Sequence, residues 1–344
     1  MKLMKTEDAV GQVLCHDITQ IIKGVTKDAV FRKGHIITKE DIPVLLSVGK
    51  EHIYIWEKDE HMLHENEAAQ ILYEMCRNEH MHPSAVKEGK IELIADCDGL
   101  FKVDREKLRK VNSLGEMMIA TRHGNTFVKK GDKLAGTRII PLVIEKEKME
   151  RAKEICNDGS ILEIKPLQPK KAAILTTGSE VYHGRIQDKF TPVLVEKLKE
   201  YGSEVIFHEI YDDDHEAITK GCLSAIEQGA ELVLCTGGMS VDPDDKTPLA
   251  IKNTGARIVS YGAPVLPGAM FLVSYYEYYN EDIPIVGLPG CVMYAKRTIF
   301  DLALPRLLAD DFITAEELAL LGEGGLCLNC PVCTYPNCGF GKGW

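Results

Sequence analysis

Three short apolar segments, separated by helix-length stretches, constrain the fold of this chain more than any other feature. They span residues 172–176, 204–210 and 231–235, and each one ends in glycine or in carboxylate residues. Short buried runs that alternate with helices are typical of parallel strands in an α/β sheet. Because ligands bind at the carboxyl ends of such strands, we expect a site where these three segments end.

Helix and hairpin signals fill the intervals around these strands. Threonine followed by proline, at Thr191-Pro192 and at Thr247-Pro248, predicts two helices that begin with threonine as the N-cap. Apolar runs over 270–274 and 283–288 predict a final hairpin, and a helix is predicted over 292–308 after a Pro-Gly pair. These elements complete a single α/β domain.

Changes of pattern divide the chain into four predicted segments. They are an N-terminal unit over 1–57, a helix plus a β-rich subdomain over 58–165, the α/β domain over 166–310 and a short tail over 311–344. Within the second segment, an apolar stripe predicts one helix over 58–80. The dipeptide Asp98-Gly99 lies between two apolar runs there and predicts a hairpin turn.

Charge and hydropathy exclude several classes of partner. The net charge of −11 argues against nucleic acid, because no basic face is available to neutralise phosphates. No apolar run approaches the ~20 residues that a membrane span needs. The first residues also lack the apolar core of a signal peptide. We therefore expect a cytoplasmic protein that binds neither nucleic acid nor membrane.

Carboxylates are concentrated where the predicted strands end. Glu180 follows the first strand, Asp212 and Asp213 follow the second, and Asp244 and Asp245 follow the third. Carboxylates beside a helix N-terminus that attracts anions suggest Mg²⁺ bridging phosphate oxygens. The alternative is that each aspartate only caps a helix or completes a turn.

Two neighbouring aspartates fit that alternative better, and a glycine pair favours a ligand. We favour a capping or turn role for Asp214 and Asp242, but not for Glu180, Asp212 and Asp245. Gly237 and Gly238 follow the third strand, and a residue without a Cβ lets the backbone approach a ligand closely. We therefore expect a phosphate-sized binding site at this edge of the sheet.

Five motifs occur in an order that resembles a known domain. They are Thr176-Thr177-Gly178-Ser179-Glu180, Ile210-Tyr211-Asp212-Asp213, Thr236-Gly237-Gly238-Met239-Ser240, Leu266-Pro267-Gly268 and Gly287-Leu288-Pro289-Gly290. Together they resemble the molybdopterin-binding domain that molybdopterin adenylyltransferases and molybdopterin molybdenumtransferases share. The molybdenumtransferase branch fits better, because its strand–Thr-Gly-Asp-Glu turn matches residues 177–180 with one change. Residues 9–19 and 33–49 also look like the opening of that branch.

The resemblance implies a fold and an assignment of roles. The fold is a three-layer α-β-α parallel-sheet molybdopterin-binding domain, with an α+β or β-rich N-terminal region and a short cysteine-rich tail. The implied catalytic carboxylates are Glu180, Asp212 and Asp245. The implied cofactor-binding residues are Thr177, Gly178, Gly237, Gly238, Ser240, Thr247, Pro267, Gly268, Pro289 and Gly290. The implied metal ligands in this domain are Asp213 and Asp244.

The implied activity belongs to molybdenum cofactor biosynthesis. A Mg²⁺-dependent transferase would bind molybdopterin or its adenylylated form, insert molybdate and release AMP. The resemblance also implies a homo-oligomer and a molybdoenzyme client. The chain departs from the family at Ser179, where an aspartate is expected, and at Ala269, where a lysine is expected. These departures favour an alternative, a non-catalytic carrier or sensor of molybdopterin or the molybdenum cofactor.

Four of the eleven cysteines lie near the C-terminus, with the spacing C-x2-C-x2-C-x4-C. They are Cys327, Cys330, Cys333 and Cys338. The spacing is close to that of an iron–sulfur run, and four thiolates also suit tetrahedral Zn²⁺. A flexible end is the alternative, because the tail is too short for its own apolar core. We favour a metal or cluster, with iron–sulfur ahead of zinc; a thiol-rich arm handling a soft metal or a dithiolene is a third option.

Overall fold

The computed structural model describes residues 2–22, 26–55 and 59–343, which group into two compact units. The first unit comprises Met1–Asp96, Val103–Arg122 and Gly131–Glu163; the second comprises Cys97–Lys102, His123–Lys130 and Ile164–Trp344. The four segments expected from the sequence stay a prediction. In the described part of the chain no helix combines the length and apolarity needed to cross a bilayer. The cytoplasmic location also stays a prediction.

Strands and helices alternate along the described chain. The strands are β1 (Lys2–Lys5), β2 (Ile18–Ile22), β3 (Thr26–Phe31), β4 (His52–Ile55), β5 (Met62–His64), β6 (Met81–Pro83), β7 (Lys90–Ala95), β8 (Gly99–Val103), β9 (Met117–Thr121), β10 (Thr126–Val128), β11 (Lys133–Ile139), β12 (Val143–Glu145), β13 (Leu162–Pro166), β14 (Lys171–Thr177), β15 (Glu204–Tyr211), β16 (Leu232–Thr236), β17 (Arg257–Tyr261), β18 (Leu272–Tyr278) and β19 (Glu281–Leu288). The α-helices are α1 (Asp41–Ser47), α2 (Glu65–Cys76), α3 (Arg105–Asn112), α4 (Lys146–Ile155), α5 (Ser179–Tyr182), α6 (Phe190–Lys199), α7 (His215–Glu227), α8 (Thr247–Asn253), α9 (Ile299–Leu308) and α10 (Ala315–Leu320).

The first unit is built on a four-stranded antiparallel sheet in the order β6-β7-β11-β9, against which α2 packs. The predicted helix over 58–80 is wrong at its start, because Met62–His64 pair with β12 as strand β5. His64 then caps α2, since its ring accepts a hydrogen bond from the Asn66 N–H at 3.2 Å. The Glu67 carboxylate accepts the His64 N–H at 3.1 Å and completes a capping box.

The hairpin predicted at Asp98-Gly99 is also wrong. Strand β7, before the turn, is flanked on both sides by β6 and β11. Strand β8, after the turn, pairs instead in a separate three-stranded sheet in the order β10-β8-β13. A strand whose two edges are already occupied cannot also accept its neighbour in sequence, so long-range pairing overrides the local turn signal.

The second unit contains a six-stranded sheet in the order β15-β14-β16-β19-β18-β17. Strands β15, β14, β16 and β19 are parallel, as predicted for the first three, whereas β18 pairs antiparallel with β19 and β17 pairs antiparallel with β18. Side chains alternate between the two faces of the sheet. Ile174 lies in the buried cluster that includes Leu194 of α6 and Phe300 of α9, and Leu175 lies in the opposite cluster with Ile218 of α7. The three-layer α-β-α fold is therefore confirmed.

The predicted helix starts in this unit need correction. Thr191 lies inside α6, and the Asp188 carboxylate provides the cap by accepting the N–H groups of Phe190 at 2.8 Å and Thr191 at 3.1 Å. Thr247 is the first residue of α8, not its N-cap. A carboxylate two or three residues ahead of the helix caps it as well as a threonine does.

The helix predicted over 292–308 is two elements. A 3-10 helix over Gly290–Met293 is followed by a break, and α9 begins only at Ile299. Thr298 restarts the helix, because its hydroxyl accepts the Phe300 N–H at 3.2 Å while the Asp301 carboxylate accepts the Thr298 N–H at 2.8 Å. This capping box is a local stop-and-start signal inside an apolar run.

The cysteine-rich tail packs against the α/β domain within the second unit. The Leu266 N–H donates to the Gly325 carbonyl at 2.8 Å, and the Cys327 N–H donates to the Leu266 carbonyl at 2.8 Å. Phe340, near the end of the tail, is only 5% exposed and belongs to the apolar cluster under α6 and α9. The tail therefore shares the core of the α/β domain instead of forming one of its own.

Candidate functional site

The loops that carry the predicted site leave the sheet side by side. In the parallel register Thr177 at the end of β14 is opposite Tyr211 at the end of β15. Thr176 is opposite Thr236 of β16, and Thr236 is opposite Leu288 of β19. Four consecutive strands thus end at one rim, which we call the carboxyl edge.

Asp213 is the centre of the acidic group at this edge. Its Oδ2 accepts a hydrogen bond from the Ser179 N–H at 2.9 Å, which ties the loop after β15 to the loop after β14. Burial raises the pKa of Asp213, and the charges of Asp212, Glu180 and Asp245 raise it further, against the lowering effect of the Ser179 hydrogen bond. Three carboxylates from three separate loops therefore act on the charge of Asp213.

The members of this acidic group differ in exposure. Glu180, in the short helix α5, is exposed, whereas Asp212 and Asp245 are half-buried. Asp212 Oδ1 accepts the Asp213 N–H at 2.9 Å. Asp245 Oδ2 accepts the Asp242 N–H at 3.3 Å. Each carboxylate thus keeps oxygen lone pairs for a further partner.

The remaining aspartates of these loops have simpler surroundings. Asp214 caps α7 by accepting the N–H groups of Glu216 at 2.9 Å and Ala217 at 3.4 Å. Asp242 accepts the Asp245 N–H through its backbone carbonyl at 3.0 Å, in a turn, and its side chain is exposed. Asp244, predicted as a metal ligand, lies exposed on the same loop.

The Gly237-Gly238 loop is held tightly against its neighbours. A Cβ on Gly237 would lie 2.1 Å from the Thr177 carbonyl oxygen, and one on Gly238 would lie 2.9 Å from Thr247 Oγ1. Both glycines have positive φ, at +81° and +54°. Glycine is therefore required at Gly237 by packing as well as by backbone conformation.

Two threonines predicted to bind the cofactor form hydrogen bonds beside this loop. Thr177 Oγ1 donates to the Thr236 carbonyl at 2.9 Å and lies 2.9 Å from Thr247 Oγ1. Thr177 is 4% exposed and Thr247 is fully buried. Their hydroxyls connect β14, β16 and the start of α8, so they position the glycine loop. Ser240, further along the loop, is exposed.

Tyr261 is a residue that sequence reasoning missed. Its hydroxyl donates to the Met239 carbonyl at 2.8 Å and so fixes the loop after Gly238. Burial raises the pKa of Tyr261, and the charge of Asp245 raises it further. Tyr261 ends β17, far along the chain from the loop, and no local motif marks it.

The two Pro-Gly motifs adjoin the same edge. Pro289 leaves β19 next to the end of β16 and is buried, whereas Gly290 is exposed. A Cβ on Gly268 would lie 2.3 Å from Cγ2 of Ile299, and the Pro267 carbonyl accepts the Ile299 N–H at 3.1 Å. The Pro267-Gly268 loop is therefore packed on the start of α9.

The four tail cysteines line one cavity of about 510 Å³, together with Pro267. Cys330 and Cys333 are exposed, and Cys327 and Cys338 are partly buried. Across the described ranges, however, no three His, Cys, Asp or Glu side chains are arranged to hold a metal ion. The residues as folded therefore do not fit an iron–sulfur or four-thiolate zinc site, and the prediction of one is not supported.

Parts of this chain are similar to known protein families and to individual proteins. Residues 173–309 match a family described as "Probable molybdopterin binding domain", and residues 3–57 match a domain of unknown function, DUF8806. The "Putative competence-damage inducible protein" of Bacillus subtilis is 32% identical over 89 residues, which are 26% of this chain and 21% of that protein. The molybdopterin adenylyltransferase of Pyrococcus furiosus is 30% identical over 92 residues, 27% of this chain and 54% of that protein.

These relatives are matched only in part, over about a fifth of the first and about half of the second. Among solved structures, the tungsten cofactor synthesizing protein MoaB from Pyrococcus furiosus aligns over 42% of this chain and 98% of its own, with 18% identity and a TM-score of 0.35. The family match confirms the sequence resemblance for the α/β part of the chain. Residues 173–309 form a molybdopterin-binding domain of the molybdenum cofactor biosynthesis type.

Proposed function

We propose that this protein takes part in molybdenum cofactor biosynthesis as a molybdenumtransferase. It binds adenylylated molybdopterin at the carboxyl edge, inserts molybdate and releases AMP. The observation that carries the proposal is the convergence of Glu180, Asp212 and Asp245 on Asp213, beside the Gly237-Gly238 loop. Like charges held together near a close-approach backbone favour a site that binds a cation and a phosphate.

Mg²⁺ would need oxygens of the substrate here, because the described residues contain no three side chains arranged to hold a metal ion. Mg²⁺ usually keeps several waters and uses one or two carboxylates together with substrate phosphate oxygens. When bound, it would neutralise charge on the phosphate that leaves with AMP. Glu180 and Asp245, one exposed and one half-buried, would hold it, while Asp213 fixes the relative position of the two loops through the Ser179 N–H.

A carrier or sensor role is the second candidate. Ser179 stands where the family pattern has an aspartate, and its hydroxyl lies 3.3 Å from His183 Nδ1. Ala269 stands where the pattern has a lysine. Both changes remove a charged group that the reaction would use and leave ligand binding intact. In either role the protein would assemble as a homo-oligomer and serve a molybdoenzyme client.

Turnover with a matched pair of variants tests the proposal. The protein is incubated with adenylylated molybdopterin, molybdate and Mg²⁺, and AMP is measured by chromatography. Asp245→Asn should lower AMP release by about tenfold or more, the scale expected when a group that organises the transition state is lost. Asp242→Asn is the control, because Asp242 lies on the same loop with its side chain exposed.

The other outcomes are distinct. No AMP release at any Mg²⁺ concentration, with pterin still retained on the protein, favours the carrier. If the protein consumes ATP when it is given unmodified molybdopterin, its activity is adenylylation and not molybdate insertion. Adenylylation is the activity named for the Pyrococcus furiosus relative. If the protein neither retains pterin nor turns over, the proposal is rejected.

A further inference from the structure

The tail contains a second set of reactive groups that the proposed function does not use. The segment Cys330-Pro331-Val332-Cys333 has the C-x-x-C spacing of thiol–disulfide exchange motifs. Both thiols are free and exposed, and the chain bends at Pro331 and Val332 between them. A bend between two cysteines directs the chain back on itself, which shortens the path between their sulfur atoms.

These thiols lie in a defined cavity. The cavity holds about 510 Å³, within the range of small-molecule sites. Its wall includes the aromatic rings of Tyr294 and Phe340 and the cations Lys296 and Arg297. Among the described residues that line it, none is acidic, although the chain carries a net charge of −11. Arg297 is paired with Asp301 at 2.8 Å, so the charge that would attract a small anionic molecule here is that of Lys296.

Hydrogen bonds and a ring contact connect the turn to the rest of the second unit. Lys296 Nζ donates to the Pro331 carbonyl at 3.0 Å and to the Cys330 carbonyl at 3.5 Å. The Tyr335 hydroxyl donates to the Asp301 carbonyl at 3.0 Å, and the Arg297 guanidinium lies 5.0 Å from the centre of the Tyr335 ring. These contacts fix the backbone that carries the two thiols in the wall of the cavity.

A metal site and the remaining cysteine pairs fit the structure less well. A metal site would need at least three ligands in reach, and the described residues contain no such group. Cys327 has the same spacing to Cys330, but its side chain packs against the apolar core and its N–H is bonded to Leu266. Cys222 and Cys235 lie 3.6 Å apart, but both are buried and out of reach of a solute.

We propose that Cys330 and Cys333 form a redox-active pair that exchanges with small anionic disulfides of the glutathione disulfide type. The Cys330 thiolate attacks one sulfur of the disulfide, forming a mixed disulfide and releasing one thiol. The Cys333 thiolate then attacks Cys330 Sγ, forming the Cys330–Cys333 disulfide and releasing the second thiol. Two protein thiols are oxidised, one external disulfide is reduced, and two protons pass to water or to the released thiolates.

Mapping of the oxidised cysteines tests this pair. The full chain, fully reduced, is treated with glutathione disulfide, remaining thiols are alkylated, and peptides are identified by mass spectrometry. The expected product is a Cys330–Cys333 disulfide. Cys333→Ser should stop at a glutathione adduct on Cys330, and Cys330→Ser should react about tenfold more slowly or worse, since the attacking group is gone.

Matched controls separate this pair from its neighbours. Cys156→Ser and Cys291→Ser should still form the disulfide at the parent rate, because both are free cysteines that do not line this cavity. Circular dichroism of each variant checks that it is folded. The proposal is overturned if the disulfide maps to any other pair, if Cys330→Ser reacts like the parent, or if tightly bound zinc or iron protects these thiols from alkylation.

Discussion

Two acidic groups in the second unit have opposite surroundings. Asp311 is contacted by Arg306 Nε at 2.6 Å, by Lys102 Nζ at 2.8 Å and by Lys165 Nζ at 2.9 Å. Burial opposes the ionisation of Asp311, but these cations outweigh it and lower its pKa to about 2. Asp213 has carboxylates in place of cations around it, and its pKa is raised.

The opposite surroundings of Asp311 and Asp213 show that the charge of Asp311 stabilises the fold and that the charge of Asp213 does not. An ionised Asp311 is satisfied by its own protein, so the cluster around it needs nothing further. Burial and the neighbouring carboxylates both disfavour the charged form of Asp213, and a bound cation or a proton would relieve this. Unbalanced charge at the carboxyl edge is therefore a stronger pointer to function than the number of acidic residues.

The largest effect is expected from removal of the balanced carboxylate. Asp311→Ala leaves Arg306 and two lysines without their common anion, and loss of one partner of a buried ion pair costs about 3–5 kcal/mol. Denaturant unfolding measures the loss. Asp282→Ala, which removes a half-exposed carboxylate 3.4 Å from Arg257, should cost no more than about 1 kcal/mol. Equal losses in the two variants would show that burial does not distinguish these pairs.

The second effect is on the free energy of unfolding at acidic pH. The pKa of Asp311 is lowered from an unfolded value near 3.9 to about 2. A lowered pKa means that the stabilisation is complete above about pH 4 and is lost as the pH falls towards 2, a change of about 2–3 kcal/mol. Unfolding curves between pH 5 and pH 2 measure it. The steep loss should be absent in Asp311→Asn; an unchanged slope in that variant would assign it to other carboxylates.

The third effect is stabilisation of the fold by Mg²⁺ bound at the acidic group around Asp213. A ligand that binds only the folded state adds about 1.4 kcal/mol at ten times its Kd. Mg²⁺ should therefore raise the melting temperature of the parent, and Asp245→Asn should reduce that rise. The Asp242→Asn variant, with its exposed side chain, should respond like the parent. An identical response of all three proteins would place Mg²⁺ elsewhere.

The smallest effect is a gain of stability. Because the pKa of Asp213 is raised in the folded state, its ionisation weakens the fold as the pH rises through that pKa. Asp213→Asn keeps an acceptor for the Ser179 N–H, removes the charge and should raise the denaturation midpoint at pH 7. The gain should vanish towards pH 3, where the parent carboxyl is protonated. A loss of stability at pH 7 would show that the ionised form is the favoured one.

The sequence predicted the strands of the α/β domain well, because their signals are local. Each parallel strand is a short apolar run closed by glycine or aspartate, and the motifs at their ends are contiguous. The hairpin of β18 and β19 was also predicted and is confirmed, since both strands are apolar and near in sequence. Local patterns were sufficient wherever one strand and the loop after it determined the outcome.

Features that depend on distant partners could not be predicted. Lys102 forms an ion pair with Asp311, which is far from it in the sequence, and neither residue lies in a motif. Tyr261 reaches the glycine loop through its hydroxyl only once β17 is placed at the edge of the sheet. The start of α6 was misassigned because a carboxylate at Asp188 competes with Thr191 for the capping role, and propensity alone does not rank them.

The pairing of Leu326 with Leu266 has a practical consequence. Cys327 and Gly325 form hydrogen bonds with the backbone of Leu266. The last part of the chain is therefore connected directly to the Pro267-Gly268 loop. A fluorescent label placed on an exposed tail position such as Val332 would therefore sense movements of that loop. By the same connection, a bulky affinity handle inserted into residues 326–343 would disturb the Pro267-Gly268 loop.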